Sequence, residues 1–73
     1  MKPDSVATFF DCETKTGVRG SVTLLLYPNA YACFLYPHND TNRLPISFED
    51  LISHNQDDTF DSLQNHLKYR IFS

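Results

Sequence analysis

The sequence predicts an α+β fold: a three-stranded antiparallel meander followed by two short helices packed on one face (βββαα). Three observations predict it. Residues 6–36 hold three β-prone runs separated by turn residues, and residues 46–71 hold apolar positions at helical spacing. The charge is also segregated. The first half is neutral, and the whole net charge of −3 lies in the second half. Strands followed by helices, rather than alternating with them, point to segregated α+β layers.

The first strand is expected over residues 6–13 and the second over residues 18–27. Lys15-Thr16-Gly17 joins them. A three-residue hairpin loop wants glycine at its left-handed position, and Gly17 supplies it. The resulting register sets Thr14 opposite Val18, Cys12 opposite Gly20, Phe10 opposite Val22, Thr8 opposite Leu24 and Val6 opposite Leu26. Glu13 falls across from Arg19 as an opposite-charge pair.

The third strand is expected over residues 31–36, after the turn Tyr27-Pro28-Asn29-Ala30, and Pro37 ends it. Tight closure sets Leu26 opposite Tyr31, Leu24 opposite Cys33 and Val22 opposite Leu35. A polar loop from Pro37 to Pro45 follows, whose role the sequence leaves open.

The first helix is expected over residues 48–54. Ser47 reads as its N-cap, Asp50 stands in a capping-box-like position, and Ile46 can staple to Leu51. Phe48, Leu51 and Ile52 share a face. Asn55-Gln56-Asp57 breaks this helix. Asp58 or Thr59 then caps a second helix expected over residues 59–71, with Phe60, Leu63, Leu67 and Ile71 as its apolar stripe. Asp57, Asp58 and Asp61 lie at its positive end, and Lys68 and Arg70 at its negative end.

With 73 residues, the chain reads as a single small domain, residues 1–73. Folding at this size buries roughly 60% of the unfolded surface, enough for one thin core. The 41% hydrophobic and 14% aromatic content argues against disorder. Six basic against nine acidic residues argue against a polyanion binder. No basic start leads into an apolar segment, and the longest apolar run, Leu24 to Tyr27, is far short of a membrane span. The expected setting is the cytoplasm. A stand-alone frame of this size also fits the short reading frames common in phages and mobile elements.

Several chemistries are set aside on spacing. Cys12 and Cys33 read as small buried apolar residues. The predicted meander holds them about 13 Å apart, too far for a disulfide. With His38, His54 and His66 they form no Cys-x2–4-Cys or His-x3–5-His ligand set. A core-facing cysteine is no activated nucleophile. The carboxylates sit at helix starts, and the two glycines belong to the hairpin, which leaves no phosphate loop. The Asn39-Asp40-Thr41 sequon has no secretory signal beside it. No catalytic residue, metal or cofactor is expected, and the chain reads as a non-enzyme.

One feature points to function. The predicted core face holds Val6, Phe10, Cys12, Val22, Leu24, Leu26, Tyr31, Cys33 and Leu35, yet the other face is not polar. It carries Ala7, Phe9, Thr23, Leu25, Tyr27, Ala32, Phe34 and Tyr36. Phe9, Thr23 and Phe34 fall in one row; Asp11, Ser21 and Tyr36 fall in the next. A sheet covered on one side alternates apolar with polar. Either the C-terminal segment wraps over this face, or the face is an interaction site, or the register is misread. The second reading is favoured, with Phe9, Thr23, Leu25, Phe34 and Tyr36 as partner-binding residues. The edge of the third strand, guarded only by Pro37, is a further place for pairing with another chain.

Tyr69, on the polar side of the second helix with Ser62 and Asn65, is a weaker partner contact, with Phe72 nearby. The acidic set Glu49, Asp50, Asp57, Asp58 and Asp61 is explained by capping and solvation rather than by phosphate mimicry. The expected function is a small protein-binding module that modulates or inhibits a larger protein. Self-association through the sheet face or a strand edge, and single-stranded nucleic-acid binding on the aromatic face, are the alternatives.

Overall fold

The computed structural model of the chain describes residues 2–69. Among these residues, five strands and one α-helix form in the order β1 (Ser5–Glu13), β2 (Arg19–Leu26), β3 (Tyr31–Pro37), β4 (Leu44–Pro45), β5 (Ile52–Ser53) and α1 (Asp58–Tyr69). A 3-10 turn, Phe48–Asp50, precedes β5. The architecture is α+β with an antiparallel sheet in the order β4-β3-β2-β1-β5.

The central meander follows the turn chemistry. Gly17 sits at φ 88°, the left-handed position its loop demands. The Thr14 amide donates to the Val18 carbonyl at 3.0 Å, and the Val18 amide donates to Thr14 Oγ1 at 3.1 Å. The second turn closes with the Tyr27 amide on the Ala30 carbonyl at 2.9 Å. From it the β2–β3 register runs as expected, with Leu26 opposite Tyr31, Leu24 opposite Cys33 and Val22 opposite Leu35.

Strand β1 departs from expectation partway along. Cys12–Gly20 and Glu13–Arg19 pair as predicted, but the register then shifts, and Phe9 rather than Phe10 stands opposite Val22. The pair Phe10 and Asp11 faces the single residue Ser21, which is a β-bulge. Asp11 absorbs it at φ 59°, a conformation that Asp tolerates better than most residues. Because strand side chains alternate with period two, one extra residue inverts every side chain before it. Phe9 is therefore buried at 4% exposure and Phe10 is 67% exposed. The same inversion moves Ala7 towards the core in place of Thr8, and leaves Val6 exposed.

The expected first helix is the second correction. Residues 48–50 make a single 3-10 turn, and Leu51 is extended at φ −96°, ψ 151°. Ser47 makes no side-chain cap, and Asp50 pairs with Lys15 at 3.0 Å instead of capping. A helix this short cannot sustain itself in isolation. The edge of β1 offers ladder bonds instead, and Ile52–Ser53 takes them opposite Glu13 and Cys12.

Helix α1 starts one residue ahead of its predicted start, and Asp57 is its cap. Asp57 Oδ1 accepts from the amides of Thr59 at 2.9 Å and Phe60 at 3.3 Å. This replaces Asp58 or Thr59 as the expected cap. The expected helix end at residue 71 lies outside the described residues.

The core lies between one sheet face and the C-terminal half. Cys12, Val22, Leu24, Cys33 and Leu35 come from the sheet; Phe48, Leu51, Phe60 and Leu67 come from the segments over it. Phe9, Phe48 and Phe60 form an aromatic trio with centroids 5.8, 5.2 and 4.8 Å apart. Gln64 ties helix to turn, its Nε2 donating to the carbonyls of Phe48 at 3.0 Å and Leu51 at 2.7 Å. The Phe48 carbonyl also accepts from the Leu51 amide at 3.3 Å.

Candidate functional site

The face of the sheet away from this core is the candidate site, and its composition follows from the pleat. In β2, Gly20, Val22 and Leu24 are buried, so Arg19, Ser21, Thr23 and Leu25 point the other way. In β3 the same alternation turns Ala32, Phe34 and Tyr36 outward. In β1 the bulge turns Val6, Thr8 and Phe10 outward.

Cross-strand pairing arranges these residues in three rows. Val6, Leu25 and Ala32 form the first; Thr8, Thr23, Phe34 and Pro45 the second; Phe10 with Asp11, Ser21 and Tyr36 the third. Among the described residues no helix or strand lies over this face. Phe10 is 67%, Val6 56% and Tyr36 41% exposed, while Thr23, Leu25, Ala32 and Phe34 are half-buried by their neighbours.

Of the residues singled out from sequence, Thr23, Leu25, Phe34 and Tyr36 stand together on this face. Phe9 does not. It belongs to the opposite side, at the centre of the aromatic trio, and Thr8 takes its place in the row. Tyr69 is 76% exposed but lies on α1, whose Phe60 and Leu67 pack on the core side of the sheet. It lines a shallow surface depression with Ser62, Asn65 and His66, and its neighbour Phe72 is outside the described residues.

Sequence reasoning missed Val6, Phe10, Arg43 and Pro45. Val6 and Phe10 were hidden by the bulge. The signal that could have exposed it is the Phe9-Phe10-Asp11 run, where two adjacent aromatics precede a residue tolerant of positive φ. Arg43 and Pro45 come from the loop after β3. Asp40 Oδ1 accepts from the Asn42 amide at 3.0 Å and turns the chain back, so that Leu44–Pro45 pairs with Leu35 and Phe34. Arg43 Cζ then lies 4.3 Å from the Phe34 ring centroid, a cation–π contact. This loop also corrects the expected open edge of β3, which β4 covers at Phe34 and Leu35.

Charge gathers at one end of the face. Glu13 and Arg19 are opposite each other, but their side chains choose other partners. The Arg19 guanidinium forms an ion pair with Asp11, with Nε donating to Oδ1 at 2.9 Å, and Glu13 Oε1 meets His54 Nε2 at 2.7 Å. The Arg19 hydrogen bond holds the Asp11 carboxyl below its ordinary range. The first two rows of the face hold uncharged residues, with the Arg43 guanidinium stacked on Phe34.

The two cysteines are both free and both buried on the core side. Burial pushes the Cys12 thiol up to about 11 and the Cys33 thiol up to about 12. A neutral alkylating reagent at pH 8 is therefore expected to label the native chain slowly and the urea-unfolded chain at once. Rapid native labelling would show that the core opens readily. Since both folded values lie above the ordinary 9.0, ionisation favours the unfolded chain. Stability then holds below about pH 9 and falls as pH rises through the folded values.

Among the described residues no group of three or more His, Cys, Asp or Glu side chains is placed to hold a metal ion. No helix there is long and apolar enough to cross a membrane. No family model, curated protein or solved structure matches the chain.

Proposed function

We propose that the chain is a small non-enzymatic protein-binding module that docks on a larger protein through the outer sheet face and modulates or blocks it. One observation carries this reading: a face of Val6, Leu25, Phe34, Tyr36 and Phe10 that stands open while the other face holds the whole core. Large contiguous apolar patches on small soluble domains mark interaction sites. An apolar, aromatic centre with Arg43 stacked on Phe34, and with Asp11, Arg19, Glu13 and His54 at one margin, also has the anatomy of a protein interface.

The nucleic-acid reading has less support. Arg19 is held by Asp11 and Arg43 is stacked on Phe34, so the two cations placed at this face among the described residues are already engaged. Backbone recognition needs cations able to neutralise phosphates. The acidic balance of the chain opposes it further.

Phe34→Asp tests the reading. The Phe34 side chain is half-buried among outer-face neighbours, so the change places a charge at the centre of the face without entering the core. The expected outcome is a chain with unchanged circular dichroism that no longer retains the partner captured by wild type from nuclease-treated lysate of its native cell. Equal capture by the variant would overturn the reading. So would a fall in melting temperature as large as that of a core variant, because it would mean the face is covered and the charge is being buried.

A further inference from the structure

The edges of the sheet are not equally protected. β4 closes β3 at Phe34 and Leu35, and β5 closes β1 only at Cys12 and Glu13. Next to β5, the His54 amide donates to the Asp11 carbonyl at 3.1 Å and Asn55 Nδ2 donates to the Phe10 carbonyl at 2.6 Å. Among the described residues, nothing pairs with β1 on that side from Ser5 to Phe9.

The free backbone groups can be named. Along an antiparallel ladder, residues point their amide and carbonyl alternately to one neighbour and the other. The His38 amide bonds the Arg19 carbonyl, so the odd residues of β2 face β3 and the even ones face β1. Their β1 partners Ser5, Ala7 and Phe9 therefore face β2. Val6 and Thr8 face outward, each with an amide and a carbonyl that no strand meets.

This open stretch, Ser-Val-Ala-Thr-Phe, has no charge, no proline and no glycine. Natural edges are usually blunted by such residues or kept very short, as β4 and β5 are. We infer that the Ser5–Phe9 edge pairs with the same edge of a second copy, joining two sheets into one continuous antiparallel sheet. A two-fold axis through Ala7 sets Val6 opposite Thr8 of the second copy, and each of these pairs exchanges both of its backbone hydrogen bonds. Alternation is preserved, so outer-face residues meet outer-face residues. No charge opposes its own kind within the paired stretch. The register also stops where Asn55 and His54 already occupy the Phe10 and Asp11 carbonyls.

A seam of this length buries less than the about 1,200 Å² typical of a stable interface, so the dimer is reversible and concentration-dependent. It goes beyond the docking role of the outer face, because the two outer faces come to lie side by side on one surface.

Sedimentation of the full chain across the micromolar to millimolar range tests it. The mass is expected to rise from 8.4 kDa towards twice that value. Amide exchange at Val6 and Thr8 is expected to slow in step. Thr8→Pro removes an amide that serves no bond among the described residues, and proline is tolerated on edge strands. It is expected to stay monomeric with an unchanged spectrum. If it fails to fold, Val6→Lys combined with Thr8→Lys places like charges opposite each other across the seam and is expected to abolish the dimer. Phe34→Asp leaves the edge untouched and should dimerise as wild type, which separates this inference from the docking role. Three results would overturn it: a wild-type chain that stays monomeric throughout, a dimer that survives the double Lys change, or Val6 and Thr8 amides protected only when a foreign chain is bound.

Discussion

Phe60→Ala is expected to remove a large share of the chain's stability, about 3–5 kcal/mol. Phe60 is 1% exposed and touches both other members of the aromatic trio, edge-on to Phe9 and tilted against Phe48. It is also the residue through which the first turn of α1 reaches the sheet. Truncating a buried phenylalanine costs about 3–5 kcal/mol, from lost transfer energy and from the cavity left behind. At roughly 0.05–0.15 kcal/mol per residue, a chain of this length has about 4–11 kcal/mol in total. One side chain therefore carries at least about a quarter of the stability. A urea titration followed by circular dichroism measures this. A loss below about 1 kcal/mol would mean that the trio is not packed as described.

The second large effect is expected at Gly20. A Cβ there would collide with the Tyr36 carbonyl oxygen and come within 2.9 Å of Pro37 Cα and the Tyr36 carbonyl carbon. These atoms are backbone, so no rotamer change relieves the clash. The strands must part at the end of β2–β3, where Gly20 stands opposite Pro37. Overpacking typically costs 1–3 kcal/mol, and with only backbone to move, Gly20→Ala is expected near about 3 kcal/mol. Gly17→Ala makes the contrast. Its Cβ would meet only Glu13 Oε2 at 3.8 Å, and its cost is the left-handed φ of 88° alone, about 1–2 kcal/mol. Thermal melts of the two variants should rank in that order. The reverse order would place the strain in the hairpin loop.

The candidate site was legible where local chemistry decides register. Thr23, Leu25, Phe34 and Tyr36 lie on β2 and β3, whose pairing follows from the tight turn at Tyr27–Ala30. The same logic extended along β1 placed Phe9 among them, and there it failed. Within residues 6–13 the Phe9-Phe10-Asp11 run permits a bulge, but Phe9 and Phe10 are chemically identical and the run does not say which of them is buried. The choice rests on Phe48 and Phe60, distant in sequence, which give Phe9 a place to be buried. The segment after Ser47 misled in a similar way. Its cap and apolar spacing suited a helix, but helix propensity in so short a stretch is weak beside the ladder bonds that β1 offers Ile52 and Ser53.

By itself the sequence determined the α+β class, the two turns, the β2–β3 register, the terminal helix over Phe60, Leu63 and Leu67, and the presence of more apolar sheet surface than one core can cover. Each rests on residues close together in the chain: a glycine that accepts positive φ, a tight turn that sets a register, a repeat that keeps one helical face. Only the tertiary structure decided which of two adjacent phenylalanines is buried, which strand edge is closed, and that the loop after β3 brings Arg43 onto Phe34. The physical reason is common to all three. A bulge, a two-residue strand and a stacked guanidinium each contribute too little locally to be favoured alone, and each is held by partners that only the folded chain brings within reach.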